Sequence, residues 1–205
     1  MKKENSTEKT KLHFDKIAAS YDESSDGRFC AHAYEALKDE IEKFKSGKYL
    51  DVSCGTGAVL SLLQHSSLEK YGIDFSEKMI EKAKNDIGEY AKLYVASAEK
   101  MPFAENTFDV VTCSFAFHHY IHPEKVLQEF RRVMKVGATL IIADPFVPQP
   151  FRSIMNPLLR FGDNGDFHMY GCKELNHLMK DNGFCMESFR RVNKNTFLCR
   201  CVAIY

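Results

Sequence analysis

The sequence predicts an α/β protein: a three-layer sandwich whose seven-stranded, doubly wound, mostly parallel sheet ends in a C-terminal antiparallel hairpin. Three observations predict it. From residue 48 onward, short β-rich runs alternate with amphipathic helical stretches, the pattern of right-handed crossovers. Two of those runs, "TFDVVTCSFAF" and "ATLIIAD", stay apolar without alternation, as strands covered on both faces do. The chain then closes with "CMESFRRV" and "TFLCRCVAIY" around the polar turn Asn193-Lys194-Asn195, which reads as an antiparallel hairpin on one edge.

The elements follow in order within one domain of 205 residues. Residues 12–45 form an expected N-terminal helical cap. After a polar start, "HFDKIAASYD" is a short helical candidate, and Phe29 to Phe44 a longer one with Ala33, Leu37, Ile41 and Phe44 on one face. Ser46 and Gly47 follow as its stop. Residues 48–144 are the expected core. Tyr49 to Leu63 reads as strand, turn and helix, and "KYGIDF" as a second strand. Ser76 then caps a helix whose Met79, Ile80, Ala83 and Ile87 share a stripe. "AKLYVA" is the third strand and "TFDVVTCSFAF" the fourth. Pro123 opens the next helix, with Val126, Leu127, Phe130 and Val133 inward, and Gly137 is expected to close it before the fifth strand. Residues 145–171 break the regularity: Pro145, Pro148, Pro150 and Pro157 punctuate a stretch kept apolar by Phe146, Phe151, Phe161, Phe167 and Tyr170. A long aperiodic connection with that aromatic content is expected to be a lid or substrate region. Residues 172–205 supply a last helix and the hairpin.

Composition narrows the function. Apolar residues make up 44% of the chain, enough for a large core, and 28 basic residues balance 28 acidic ones. That balance argues against nucleic-acid binding through a broad basic face. The seven cysteines include no Cys-x-x-Cys pair and no Cys/His spacing typical of zinc, so packed or surface thiols and no metal site are expected. Cys199 and Cys201 fall on one side of a strand. The polar start "MKKENSTEKTK" does not read as a signal peptide, and no apolar run nears the ~20 residues of a membrane span. A cytoplasmic protein is expected.

The chemistry concentrates in "YLDVSCGTGAVL", residues 49–60. Gly55 and Gly57 allow main chain to approach a ligand where the next helix presents its free N–H groups. Asp74, about 20 residues beyond the turn at the end of the second strand, is placed to accept hydrogen bonds from a ribose. A dinucleotide fingerprint requires a third glycine where Leu60 stands. Asp51 repels a phosphate but suits a ligand with a cationic centre. A nucleoside joined to an amino acid satisfies both acids.

These segments resemble the class I S-adenosylmethionine-dependent methyltransferases of the small-molecule kind, the type 11-like group. "LDVSCGTG" is similar to the family's first motif and "YGIDFSEKMI" to its second. "ASAEKMPFAENTFDVVTCSFAFHHY" is similar to the third and "EFRRVMKVGATLIIAD" to the last, all in order. The resemblance covers residues 12–144, and the hairpin in topology only. It implies a Rossmann-like methyltransferase fold, S-adenosyl-L-methionine as cofactor and a small-molecule methyl acceptor. It further implies that Asp51, Ser53, Cys54 and Gly55 surround the methionine moiety, and that Asp74 holds the ribose. Phe75 would lie against the adenine face, Ser97 and Ala98 along its edge, and Ser114 near the amino group, with Met79 a further cofactor-binding residue. Tyr21 matches an aromatic that closes over the cofactor. Ser53 stands where the family carries glycine, Ser97 where it carries an adenine-binding aspartate, and Val136 and Ala138 where it carries Pro and Gly.

Methyl transfer needs a nucleophile held in line, and for oxygen or nitrogen acceptors a base. His119 and His118, past the fourth strand, and Tyr21 are the catalytic candidates, with a structural capping role as the alternative for the histidines. His168 and Tyr170 read equally as pocket or surface residues. Two other functions stay open: a non-catalytic S-adenosylmethionine-binding module, suggested by Ser53 and Ser97, and an NAD(P)-dependent oxidoreductase, opposed by Leu60. The expected partner is the small acceptor alone, without nucleic acid or membrane, for a monomer or homodimer.

Overall fold

The computed structural model describes residues 4–159 and 165–204. Among these, seven strands form one sheet in the order β3-β2-β1-β4-β5-β7-β6. The strands are β1 (Lys48–Val52), β2 (Glu69–Asp74), β3 (Ala91–Val95), β4 (Phe108–Ser114), β5 (Met134–Pro145), β6 (Phe184–Asn193) and β7 (Thr196–Ala203). The first five run parallel, and β7 pairs antiparallel with both β5 and β6. The strand order reverses at β1, which lies between β2 and β4. A crevice therefore opens beyond the carboxyl ends of β1, β2 and β4.

Strand periodicity divides the core in two. On β1, Leu50 and Val52 join the cluster that α6 (Pro123–Val133) and α8 (Cys172–Asp181) cover with Val126, Leu127, Phe130, Leu175 and Met179. Tyr49, on the opposite side, joins the cluster under α3 (Tyr34–Ile41), α4 (Ala58–Leu62) and α5 (Glu77–Ile87). Leu140, Ile141, Ile142 and Ala143 of β5 are all fully buried, which is why that strand reads as an unbroken apolar run. The hairpin takes the edge beyond β5, as its polar turn predicts.

Four expectations need correcting. The polar start is helical: α1 runs over Glu4–Ile17, followed by a 3₁₀ helix over Ala18–Glu23. The helix expected from Phe29 to Phe44 is broken at His32–Ala33 into α2 (Ser25–Ala31) and α3, although Ala33, Leu37 and Ile41 are buried as their spacing requires. Gly137 does not close α6. That helix stops at Val133, and Met134 pairs with Phe108 at once, leaving Gly137 inside β5 with φ +79. Residues 145–171 hold a helix, α7 (Phe151–Leu159), with Pro157 inside it. Phe161 lies outside the described residues. No described helix is long and apolar enough to cross a membrane.

Candidate functional site

The turn after β1 carries left-handed conformations at three alternate residues: Ser53 (φ +57), Gly55 (φ +53) and Gly57 (φ +80). The two glycines differ in purpose. A Cβ at Gly55 would meet nothing within 4 Å, so that side of the main chain faces open space. A Cβ at Gly57 would lie 3.3 Å from Ala83 Cβ, so that glycine serves packing against α5 rather than a ligand. Ser53 turns its hydroxyl away to share a 2.8 Å hydrogen bond with the Tyr120 hydroxyl.

Two buried carboxylates stand around this turn. Asp74, at the end of β2, accepts the Gly55 N–H at 3.0 Å on one oxygen and the Ser76 N–H at 2.9 Å on the other. Burial pushes its carboxyl up to about 6 despite those two bonds. Asp51 is fully buried on β1, where Oδ1 accepts from the Thr112 hydroxyl at 2.7 Å and Oδ2 has no partner. Burial raises it to about 7, with Asp74 adding like-charge repulsion. Burial strips both carboxylates of hydrating water, so a cation arriving nearby is favoured.

A cavity at the carboxyl ends of the strands, with its open mouth, spans about 1060 Å³. Ser53, Cys54, Gly55, Asp74, Phe75 and Met79 line it, joined by Ser97, Ala98 and Ser114. So do Tyr21 and His119. Of the candidates, Asp51 and His118 are outside this lining: Asp51 lies beneath the turn, and His118 faces a second cavity. Sequence reasoning missed Phe14, whose ring meets Tyr21, Phe75 and His119 edge-on at 6.2, 6.5 and 5.5 Å. Its seven-residue spacing from Tyr21 was the available signal. Glu99, Phe115 and Tyr120 were missed too. Phe115 is left-handed (φ +52), a conformation costly for a side chain of its size. Ser97 Oγ accepts the Glu99 N–H at 3.1 Å, and Glu99, whose carboxylate lies 3.8 Å from Lys125 Nζ, lines the cavity beside it.

The second cavity adjoins the first across Phe14, Tyr21, Cys30, Phe115 and His119, which line both. His118 lies here between Asp144 (Nδ1–Oδ1, 2.8 Å) and Asp166 (Nε2–Oδ1, 3.2 Å). Burial alone would lower its basicity, but the two carboxylates raise it to about 10. His119 is pushed the other way by burial and by its charged neighbour, and stays neutral. Tyr21 shares a 3.6 Å contact with Cys30 Sγ, and burial keeps its phenol protonated. His168 pairs with Glu174 at 2.6 Å and Tyr170 packs on Phe117; neither lines the first cavity. All seven cysteines are free, and Cys199 and Cys201 place their sulfurs 3.5 Å apart on one face of β7.

Comparison with known proteins is consistent with this geometry. A family model described as a methyltransferase domain matches residues 50–142. The demethylmenaquinone methyltransferase of Thermotoga maritima is 31% identical over 183 residues, 79% of each chain. A ubiquinone/menaquinone biosynthesis C-methyltransferase, UbiE, of Desulfotalea psychrophila is 34% identical over 119 residues, covering 57% of this chain but 48% of its own. Among solved structures, a S-adenosylmethionine-dependent methyltransferase from Aquifex aeolicus superposes with TM-score 0.67 and 25% identity, over 83% of this chain and 89% of that one. A putative methyltransferase from Haloferax volcanii, solved with the activator Trm112, shares the fold at TM-score 0.77 and 18% identity, over 94% and 98%.

Proposed function

The chain belongs to the methyltransferase domain family and is a S-adenosylmethionine-dependent methyltransferase of the small-molecule kind, and from that premise we propose how its cavity holds the cofactor and which acceptor it takes. The residues present fit the cofactor. Asp74 has lone pairs left beyond its two amide bonds, enough for the ribose hydroxyls. Phe75 and Met79 supply an apolar wall for the adenine, Ala98 its edge, and Glu99 an acceptor for its amine where Ser97 departs from the family pattern. The open side of Gly55, the main chain of Ser53 and Cys54, and the Ser114 carbonyl take the methionine end. Asp51 acts on that end from beneath, through charge rather than contact, and its unpartnered Oδ2 favours the ligand's cationic groups. Tyr21 and Phe14 close the outer side.

When bound, the cofactor supplies a methyl group already activated on a sulfonium. What remains for the chain is to dry the site, hold the acceptor in line and deal with the acceptor's proton. Phe14, Tyr21 and Phe115, at the junction of the two cavities, exclude water. The acceptor we infer is a flat hydroxylated aromatic of the quinol type, seated in the second cavity among Phe29, Phe115 and Met169. The named relatives act in demethylmenaquinone methylation and ubiquinone/menaquinone biosynthesis, which supports that class. His119, neutral and lining both cavities, stands where the acceptor's hydroxyl is oriented. His118, already cationic, takes no proton near neutrality and instead positions Asp144 and Asp166. Residues 145–171 border this acceptor side through Pro145, Asp166 and Met169. The same reading has the enzyme work in the cytoplasm as a monomer or homodimer, without nucleic acid.

The observation that carries this reading is a buried carboxylate, Asp74, set in the wall of the cavity beside a turn whose main chain is bare. Calorimetric titration with S-adenosylhomocysteine tests it. Asp74→Ala is expected to weaken binding by ~1–3 kcal/mol, about 5- to 150-fold. Unchanged affinity in a folded Asp74→Ala protein would overturn the assignment.

A further inference from the structure

We propose that His118, His119 and Asp166 form a binding site for one divalent transition-metal ion at the junction of the two cavities, with Asp144 as its positioning residue. Both imidazoles come from one short 3₁₀ turn, Phe117–His119. The loop carrying Asp166 is pinned to that turn, because the Phe167 and His168 N–H groups both donate to the His118 carbonyl, at 2.9 and 3.0 Å. One donor atom from each of the three side chains lies within 4.8 Å of the others. His118 Nε2 is 3.2 Å and His119 Nδ1 3.5 Å from the same oxygen, Asp166 Oδ1. Donors held at about 2.0–2.2 Å from an ion stand roughly 3–3.5 Å from one another, so the two distances to Asp166 already match and the adjustment required is between the two imidazoles.

The remaining ring nitrogens are arranged as metal-binding imidazoles require. His118 Nδ1 is fixed by Asp144 Oδ1 at 2.8 Å, which leaves Nε2 toward Asp166. His119 hydrogen-bonds to the backbone at Gly165, while its Nδ1 is buried with no hydrogen-bond partner. A carboxylate behind one imidazole and main chain behind the other is the outer support that orients metal ligands. A proton on His118 Nε2 accounts for the contact with Asp166 but leaves His119 Nδ1 without a hydrogen-bond partner, and an ion that binds there displaces that proton to solvent. An ion accounts for both.

Two imidazole nitrogens and one carboxylate oxygen select zinc, iron(II), cobalt or nickel over magnesium or calcium. Three protein donors leave coordination positions open, and His119 lines both cavities, so the ion can take a further ligand from either. Resting on the reading under Proposed function, that ligand is the acceptor's hydroxyl: its oxygen bonds the ion, its proton passes to water, and no electron changes hands. The site itself does not depend on that reading.

The experiment is a titration of the full chain, stripped with chelator and desalted, with Co²⁺ followed by visible absorption. One equivalent is expected to bind with ligand-field bands and without the near-ultraviolet charge transfer of a thiolate. Asp144→Asn is expected to weaken binding by roughly 10- to 100-fold, and His119→Gln and Asp166→Asn by more than that. Absence of stoichiometric binding at micromolar Co²⁺ would overturn the proposal, as would equal affinity in folded His119→Gln and Asp166→Asn. Titrating the same samples with S-adenosylhomocysteine keeps the two readings apart. Lost metal with intact nucleoside binding removes only the metal site, and the reverse removes only the cofactor assignment.

Discussion

Gly55 and Gly57 look equivalent in "CGTG" and are not. Both are left-handed, so alanine at either costs ~1–2 kcal/mol of backbone strain. Only at Gly55 does the added methyl project into open space beside Asp74, whereas at Gly57 it meets α5. Gly55→Ala is therefore expected to weaken S-adenosylhomocysteine binding about tenfold or more, with occupied space as the cause. Gly57→Ala is expected to lower the urea midpoint further while leaving affinity nearly unchanged. Calorimetry and urea denaturation on the pair read out the difference. The buried acids make a second prediction. Asp51 and Asp74 bind protons in the fold at about 7 and 6, well above the ordinary 3.8. The folded state thus holds protons that the unfolded chain has already released, so this stabilisation is whole below about pH 4 and is lost as pH rises to 7. Melting temperatures of the ligand-free protein should fall across that window, and more steeply than those of Asp51→Asn. A cationic ligand reverses the preference, so binding near pH 6 should release protons, seen as buffer-dependent heats.

At the level of elements, local spacing carried most of the fold because each helix buries one stripe. Val126, Leu127, Phe130 and Val133 recur at helical intervals, and all four are fully buried on α6. Phe130→Ala should cost ~3–5 kcal/mol in urea denaturation, the range for deleting a buried ring. Helix ends were less legible. Gly137 looks like a stop, yet β5 begins three residues earlier because Met134 finds a partner in Phe108 across the sheet. That pairing is tertiary, and no local signal encodes it. The break at His32–Ala33 has the same character, since the apolar stripe of α3 continues across it. In residues 145–171 four prolines hide α7, one of them inside the helix. Ser76 was plain in the sequence as a cap, and its hydroxyl indeed accepts the Met79 N–H at 3.1 Å.

For the molecule as a whole, the first cavity was legible and the second was not. The former is built from contiguous motifs at the ends of β1, β2 and β4, each close to its glycine or acid in sequence. The latter is assembled from segments at least 92 residues apart in sequence: His13 and Asp26 on one side, His118 and Asp166 on the other. Phe115 adds a conformation that no residue pattern announces. The helix α1, only the second half of which reads as helical in the sequence, lines both cavities with Phe14, and a 2.6 Å bond from the Ser76 hydroxyl to Asp15, with a Lys11–Glu77 contact at 3.8 Å, fastens it beside Asp74. Departure of the nucleoside is then expected to require that fastening to let go. Asp15→Ala should quicken release in stopped-flow displacement while sparing the melting temperature, and an unaltered release rate would assign the exit to another side of the protein. The helix over Glu4–Ile17 would thus set the tempo of turnover.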